Sequence, residues 1–289
     1  VAVVTGAGRG IGRAYALLLA QRGASVVVND LGGTLDGIGA DAGPAAEVVA
    51  TIVGSGGSAV ADSSDVSSAD GAQSLIDAAI SAFGRLDILI NNAGIIRWAG
   101  FPEADEDNLQ RHLAVHTVGS FLTARAAWPH LLSQGYGRIV MTTSSGVFGL
   151  PTNVSYATAK GGVIGLTRSL ATAGYKHGIR VNLIAPAAVT RMAGEGGAAE
   201  MTPDQVAPMV AFLSHESCPV NGEMYAAGAG RFARMYLAST PGYVHPGEAS
   251  IEDVADHWDA INDVADSYIP RDLLQWSRTF MAHLPPPEG

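Results

Sequence analysis

A single cysteine, Cys218, and only two lysines, Lys160 and Lys176, occur in a chain of 289 residues. One cysteine excludes an internal disulfide framework and a multi-cysteine metal centre. A reducing, cytoplasmic compartment and no bound metal are therefore expected. Positive charge is scarce as well, with 17 basic residues against 27 acidic ones and a formal charge of −10 at pH 7. Neutralising a phosphate backbone needs clustered basic residues, so nucleic acid is excluded as a partner. Charged residues make up only 15%, too few for a disordered chain, while 47% hydrophobic residues suffice for a sizeable core. No apolar run approaches the roughly 18 residues that span a bilayer, which predicts a soluble protein with no membrane partner.

Glycine, by contrast, is abundant: 36 residues, well above the average of roughly 7%. Such a surplus signals either flexible linkers or many tight turns and close approaches to a ligand. The chain pattern favours the second. Short apolar runs at Val1 to Thr5, Ser25 to Asn29, Ala59 to Ala61, Leu86 to Asn91, Arg138 to Thr143, Arg180 to Ala185 and Glu223 to Ala227 read as strands. Between them lie stretches of helical period: Ile11 to Arg22, Ala46 to Val53, Ala69 to Phe83, Glu106 to Leu132 with Pro129 bending or ending it, Ser155 to Tyr175, and Pro203 to Leu213. This alternation predicts an α/β fold, a doubly wound parallel sheet covered by helices on both faces. The glycines fall at strand ends and loops, with a mobile loop expected over 187–203. The domain is expected to span residues 1–230. Residues 231–289 form a mostly helical C-terminal extension rather than an independent domain, with one helix from the Ser250/Asp253 capping pair to about Ser267 and a short one after Pro270.

Thr5-Gly6-Ala7-Gly8-Arg9-Gly10-Ile11-Gly12 joins the first strand to the first helix. Glycines there permit a tight turn and let the backbone approach a pyrophosphate resting on the helix N-terminus. Asp30 ends the second strand about 20 residues on, where a carboxylate accepts from ribose hydroxyls and repels a 2′-phosphate. NAD is thereby favoured over NADP, although Arg9 and Arg13 could serve a 2′-phosphate instead. Asp65-Val66 follows the third strand and Asn91-Asn92-Ala93-Gly94 closes the fourth, both at the carboxyl edge where open parallel sheets bind ligands. Asp65 could accept from an adenine amino group, and the small Ala93-Gly94 pair leaves room for adenosine.

Tyr156 and Lys160 are four apart on a predicted helix, so they share a face. With two lysines in the chain, such a pair arises by chance about 0.06 times per sequence of this composition. A tyrosine works as an acid or base only when its phenolate is stabilised, and a neighbouring cation does that. A serine just after the fifth strand could donate to a substrate carbonyl.

With these residues in place, the sequence resembles the short-chain dehydrogenase/reductase family. Thr5 to Gly12, Asn91 to Gly94, the serine region, Tyr156-Ala-Thr-Ala-Lys160, and Val181-Asn182 leading to Pro186 carry the resemblance over about residues 1–230. It implies a Rossmann-fold enzyme with Tyr156 as general acid/base and Lys160 holding the ribose and lowering the tyrosine pKa. Ser144 would orient the carbonyl, and Pro186, Val189 and Thr190 would hold the nicotinamide. The family's serine usually stands where Thr143 is here, 13 before the tyrosine. Ser144 is preferred, with Ser145 and Thr143 as alternatives. His116 replaces the helix asparagine that anchors a proton-relay water in many members, and either holds a water too or packs. Family members usually assemble as homodimers or homotetramers through the long helices at 106–132 and 155–175.

Within the family, Val27 to Gly33, Arg125-Ala-Ala-Trp128, His215-Glu-Ser-Cys218 and Gly228-Ala-Gly230 resemble the (3R)-hydroxyacyl-CoA dehydrogenase units of type 2 multifunctional enzymes. A hydroxyacyl-CoA or hydroxysteroid substrate oxidised with NAD is the resulting expectation. Arg97, Arg191, Arg231 and Arg234 are candidates for CoA phosphates, and Met192, Met201 and Met209 for an apolar lid. Cys218 reads as a buried filler. The rival readings are an NADPH-linked 3-oxoacyl reductase and an NAD-binding regulator without turnover.

Overall fold

The computed structural model describes residues 1–190 and 201–284. In chain order its first part runs β1 (Ala2–Thr5), α1 (Gly10–Gln21), β2 (Ser25–Asn29), α2 (Gly43–Gly54), β3 (Ser58–Asp62), α3 (Ala69–Phe83) and β4 (Ile88–Asn91). There follow α4 (Glu106–His112), a π-helical stretch (Leu113–Val118), α5 (Gly119–Gln134), β5 (Gly137–Thr142), α6 (Val154–Gly174), β6 (Ile179–Pro186), α7 (Ala207–Leu213), β7 (Met224–Gly228) and β8 (Arg231–Met235). The contacts divide the chain into two compact units, Val1–Arg234 and Met235–Gly289.

All eight strands join one sheet in the order β3-β2-β1-β4-β5-β6-β7-β8. The pairings from β3 through β7 are parallel, with Val3 opposite Val27 on one side and Leu89 on the other. Successive strands of that kind need crossover helices, and those helices bury both faces of the sheet. β1, β2 and β5 accordingly read as nearly unbroken buried runs rather than alternating ones. On one face Ala2, Val4, Val26, Val28, Ile90, Val140 and Ile184 pack with Tyr15 and Leu19 of α1, Val48 and Ile52 of α2, and Val210 and Leu213 of α7. Cys218 is buried in this same cluster. After β3 the chain crosses back to lay β4 beside β1. The strand order reverses there, and a crevice opens beyond the carboxyl ends of β1 and β4.

Four features depart from the sequence reading. The segment expected as one helix over 106–132 is interrupted by the π-helical stretch and runs on to Gln134, ending at Gly135 with φ +63°. Pro129 lies inside α5 without ending it, because its ring and the Arg125 residue four back are both exposed and water can serve the freed carbonyl. The helix expected from Ser250 to about Ser267 is instead two short ones, α8 (Ile251–Asp256) and α9 (Trp258–Asn262). His257 breaks it by bonding Nδ1 to the Asp253 carbonyl, and Asp263 ends it by accepting from the Ala265 amide. α2 starts earlier than expected because Pro44 suits a first helical turn. Finally, β8 follows the strand expected to be last. The two residues between β7 and β8, Ala229 and Gly230, both have positive φ, which reverses the chain tightly enough for it to run back along β7. The Ser250/Asp253 capping box is present, and α10 (Leu273–Phe280) follows Pro270 behind its Asp272 cap.

Candidate active site

The loop from β1 to α1 turns through Gly6 (φ +62°) and Gly10 (φ +54°), conformations that favour glycine. A Cβ at Gly12 would overlap the Gly6 carbonyl and stand 2.5 Å from Asn92 Nδ2, so the helix can press against the turn only through a glycine. At Gly10 a Cβ would meet nothing closer than Thr190, at 3.6 Å, so that face is open. Arg9 gives α1 no side-chain cap and its first turn holds no carboxylate. The leading amides of α1 are thus left for an anion.

Around this turn lies a cavity of about 530 Å³ at the carboxyl edge of the sheet. Gly6, Arg9, Gly10, Ile11, Gly12, Asp30, Asp65, Val66, Asn92, Ala93, Gly94 and Thr190, each singled out in the sequence, all line it. Asp30 is fixed there by two backbone donors, the Gly8 amide at 2.8 Å and the Gly32 amide at 2.7 Å. Asp65 accepts from the amide and hydroxyl of Ser67. Thr5 organises the floor: its hydroxyl accepts from the amides of Asn92 and Ala93, and Asn92 Nδ2 donates to the Thr5 and Gly6 carbonyls. The sequence reading names Thr5 as the first residue of the glycine motif but gives its hydroxyl no role, although its place directly before the turn is the available signal. Leu31, Gly33 to Gly37, Arg111, Ala114 and Val115 also line the cavity. The glycines of the loop after Asp30 read as ligand contacts in the sequence, whereas Arg111, Ala114 and Val115 are given no cofactor role there.

α6 carries the reactive pair, with Asn153 at its start accepting from the Tyr156 amide. Tyr156 is nearly buried, and that burial raises its phenol above the ordinary tyrosine value; a hydrogen bond from Ser144 acts in the opposite direction. Lys160 is buried, its Nζ donating to the Thr142 carbonyl at 2.8 Å and lying 5.7 Å from the Tyr156 ring centre. Burial pushes the lysine down to about 7. Ser144 thus counters burial at the phenol, while the Lys160 ammonium is itself disfavoured where it sits. Thr143 is turned away, its hydroxyl bonded to the Lys160 carbonyl, and Ser145 is exposed. His116 lies edge-on to Tyr156 at 5.2 Å between ring centres. Its Nε2 donates to the Ile95 carbonyl at 2.8 Å, whereas its buried Nδ1 has no partner among the described residues. Burial, with Lys160 nearby, holds its imidazole neutral.

A nucleotide-sized cavity thus lies at the strand-order reversal, and a partly buried tyrosine and serine with a buried lysine lie at the same sheet edge. A family model described as short chain dehydrogenase matches residues 1–200. The chain belongs to the short-chain dehydrogenase/reductase family. Members of that family are oxidoreductases that act on CH–OH donors and bind a nicotinamide dinucleotide. This dehydrogenase is 44% identical over 274 residues to a Mycobacterium tuberculosis protein named as a short-chain type dehydrogenase/reductase, covering 93% of this chain and 96% of that one. It is 45% identical over 275 residues to peroxisomal multifunctional enzyme type 2 of Drosophila melanogaster, covering 92% of this chain and 45% of that one. The full-length structure of the Drosophila enzyme superposes with a TM-score of 0.81 and 35% identity, covering 97% of this chain and 48% of that one. The dehydrogenase thus spans about half the length of that relative. A 7α-hydroxysteroid dehydrogenase solved with NADH and 7-oxo glycochenodeoxycholic acid gives a TM-score of 0.71 at 30% identity, over 79% of this chain and 92% of that one.

Other residues of the dehydrogenase lie apart from the cavity or are otherwise engaged. Arg13 is exposed and outside the cavity lining, whereas Arg9 donates to the Gly33 carbonyl at 3.3 Å. Arg97 pairs with Asp107, and Arg234 with Glu223. Pro186 ends β6, and the Val189 amide donates to the Met201 carbonyl. Arg191 and Met192 lie outside the described residues, as does most of the loop expected to be mobile. Among the described residues no cluster of three metal-ligating side chains occurs, and no helix is long and apolar enough to cross a membrane.

Proposed function

We propose that this dehydrogenase uses NAD to interconvert a secondary alcohol and a ketone on a (3R)-3-hydroxyacyl-CoA or a steroid. The observation that carries the proposal is Tyr156 beside buried Lys160 on the first turns of α6, with Ser144 countering burial at the phenol, at the same carboxyl edge of the sheet as the glycine-floored cavity. The residues suit the dinucleotide: α1 offers uncapped amides for its pyrophosphate, and Asp30 presents an anchored carboxylate for a ribose diol. Asp65 and Val66 serve the adenine, Asn92 to Gly94 the adenosine and its neighbour ribose, and Pro186, Val189 and Thr190 the nicotinamide. Bound NAD supplies the hydride acceptor. Tyr156 takes the hydroxyl proton in oxidation and returns it in reduction, while Ser144 orients the oxygen. Lys160, with a pKa near neutrality, passes the proton onward. His116 anchors a relay water through Nδ1, a buried ring nitrogen without a partner among the described residues.

Similarity to a multifunctional enzyme and to a steroid dehydrogenase supports the substrate class, together with the resemblance to hydroxyacyl-CoA dehydrogenase units. Assembly as a homodimer or homotetramer through α5 and α6 is in keeping with exposed Val118 and Phe121 beside them. A panel of hydroxyacyl-CoA and hydroxysteroid substrates, assayed with NAD and with NADP, tests the proposal. Turnover with NAD at least about tenfold better than with NADP is expected, with Asp30→Ala narrowing that ratio. A preference for NADP unchanged by that substitution contradicts the cofactor assignment.

A further inference from the structure

Asn108, His112 and His116 are spaced four apart on α4 and the π-helical stretch, and all three are buried. They form a ladder against one segment of main chain. Asn108 Nδ2 donates to the Arg97 carbonyl at 3.0 Å, His112 Nε2 accepts from the Arg97 amide at 3.3 Å, and His116 Nε2 donates to the Ile95 carbonyl. His112 Nδ1 donates back to the Asn108 carbonyl at 2.8 Å, so both ring nitrogens are used and one neutral tautomer is fixed. The ring stacks on His116 with centres 6.0 Å apart.

Residues 95 and 97 therefore face the helix, and residue 96 faces the other way, as in an extended strand. The Ile96 amide donates to the Leu35 carbonyl at 2.8 Å, and Ile95 packs where a Cβ of Gly37 would stand. Leu35 and Gly37 belong to the loop after Asp30 that lines the cavity, as do Gly94 and Ile95 on the near side. The 95–97 segment is thus a wall shared between the helix ladder and the loop over the dinucleotide cavity. Gly94 has to be glycine at its end, because a Cβ there would come within 2.5 Å of His116 Cε1.

We infer that His112 and Asn108 are positioning residues for the dinucleotide, acting through residues 95–97 to hold both the Gly94–Ile95 wall and the Leu31–Gly37 loop in place. The inference rests on the cofactor reading above. It is tested with His112→Leu, which keeps bulk but removes both ring nitrogens, His112→Gln, which keeps an acceptor and a donor, and Asn108→Ala. Two quantities are read: the Kd for NADH by fluorescence titration, and amide exchange over residues 31–41 and 94–98 in the cofactor-free protein. His112→Leu is expected to raise the Kd about tenfold and to speed exchange in both segments, since one lost acceptor leaves a main-chain donor unpaired. Asn108→Ala moves both quantities the same way, and His112→Gln recovers most of the loss. If His112→Leu does not fold, the Gln and Asn108 variants carry the test. An unchanged Kd and unchanged exchange in Asn108→Ala, or a Gln variant as weak as Leu, overturns the inference. A wild-type protein that binds neither NADH nor NADPH overturns the cofactor reading instead.

Discussion

Lys160 is the residue whose chemistry is most altered by its surroundings. Its Nζ is buried with one main-chain acceptor, and burial brings it to about 7. A lysine in the unfolded chain keeps its proton to about 10.4, so between these values the unfolded chain binds more protons than the folded one. Stability of the cofactor-free enzyme therefore rises with pH across that window, by at most about 1.4 kcal/mol per unit. Below about 7 the contribution of this lysine is flat, because both states carry the proton. Burial raises Tyr156 above the ordinary tyrosine value. Urea denaturation of wild type beside Lys160→Met checks this. Their stability difference is expected to shift by about 2 kcal/mol in favour of wild type from pH 7 to pH 9, and Lys160→Met is expected to be inactive. A difference that stays constant with pH contradicts the burial argument.

At the scale of elements, the β1–α1 turn decides whether a cofactor site exists. Gly12→Ala gains about 1 kcal/mol of intrinsic helix propensity. Against that, its Cβ would overlap the Gly6 carbonyl and crowd Asn92, which is backbone and a bonded side chain rather than a movable tip. Overpacking of this kind costs about 1–3 kcal/mol, so the net effect is destabilising. A lower urea midpoint, with loss of NAD binding by calorimetry, is the expected outcome. Most elements were legible in the sequence because burial on both faces leaves β1, β2 and β5 as apolar runs and the crossover helices periodic. Less legible were those set by side chains bonding to main chain. His257 and Asp263 cut a helix in this way, and the π-helical stretch follows no periodicity. β8 depends on a two-residue reversal through Ala229, where positive φ is unusual. At the site, residue types with distinctive chemistry stood out: Tyr156, Lys160, Asp30 and the glycines. Thr5, Asn108 and His112 did not, because they act by holding backbone, and only the folded chain says which backbone.

On the scale of the whole molecule, the deficit of basic residues takes on a different meaning. A charge of −10 spread over the surface sets nothing about the fold, but it makes any approach of a phosphate-rich substrate depend on a few arginines. Arg97 and Arg111 share Asp107 on α4, and Arg111 reaches the cavity lining, so cationic groups stand at the rim despite the overall sign. The sheet supplies the rest, since the strand-order reversal puts the glycine turn and Asp30 around one crevice, and α6 begins after β5 at the same carboxyl edge. That convergence makes a central claim: Tyr156 transfers a proton to and from a carbinol held beside NAD. The direct measurement is the rate at which NADH absorbance appears when the enzyme is mixed with NAD and a (3R)-3-hydroxyacyl-CoA, wild type beside Tyr156→Phe. Steady NADH formation by wild type and a rate at least about 100-fold lower in the phenylalanine variant are predicted. A Tyr156→Phe enzyme that turns over within tenfold of wild type would contradict the claim.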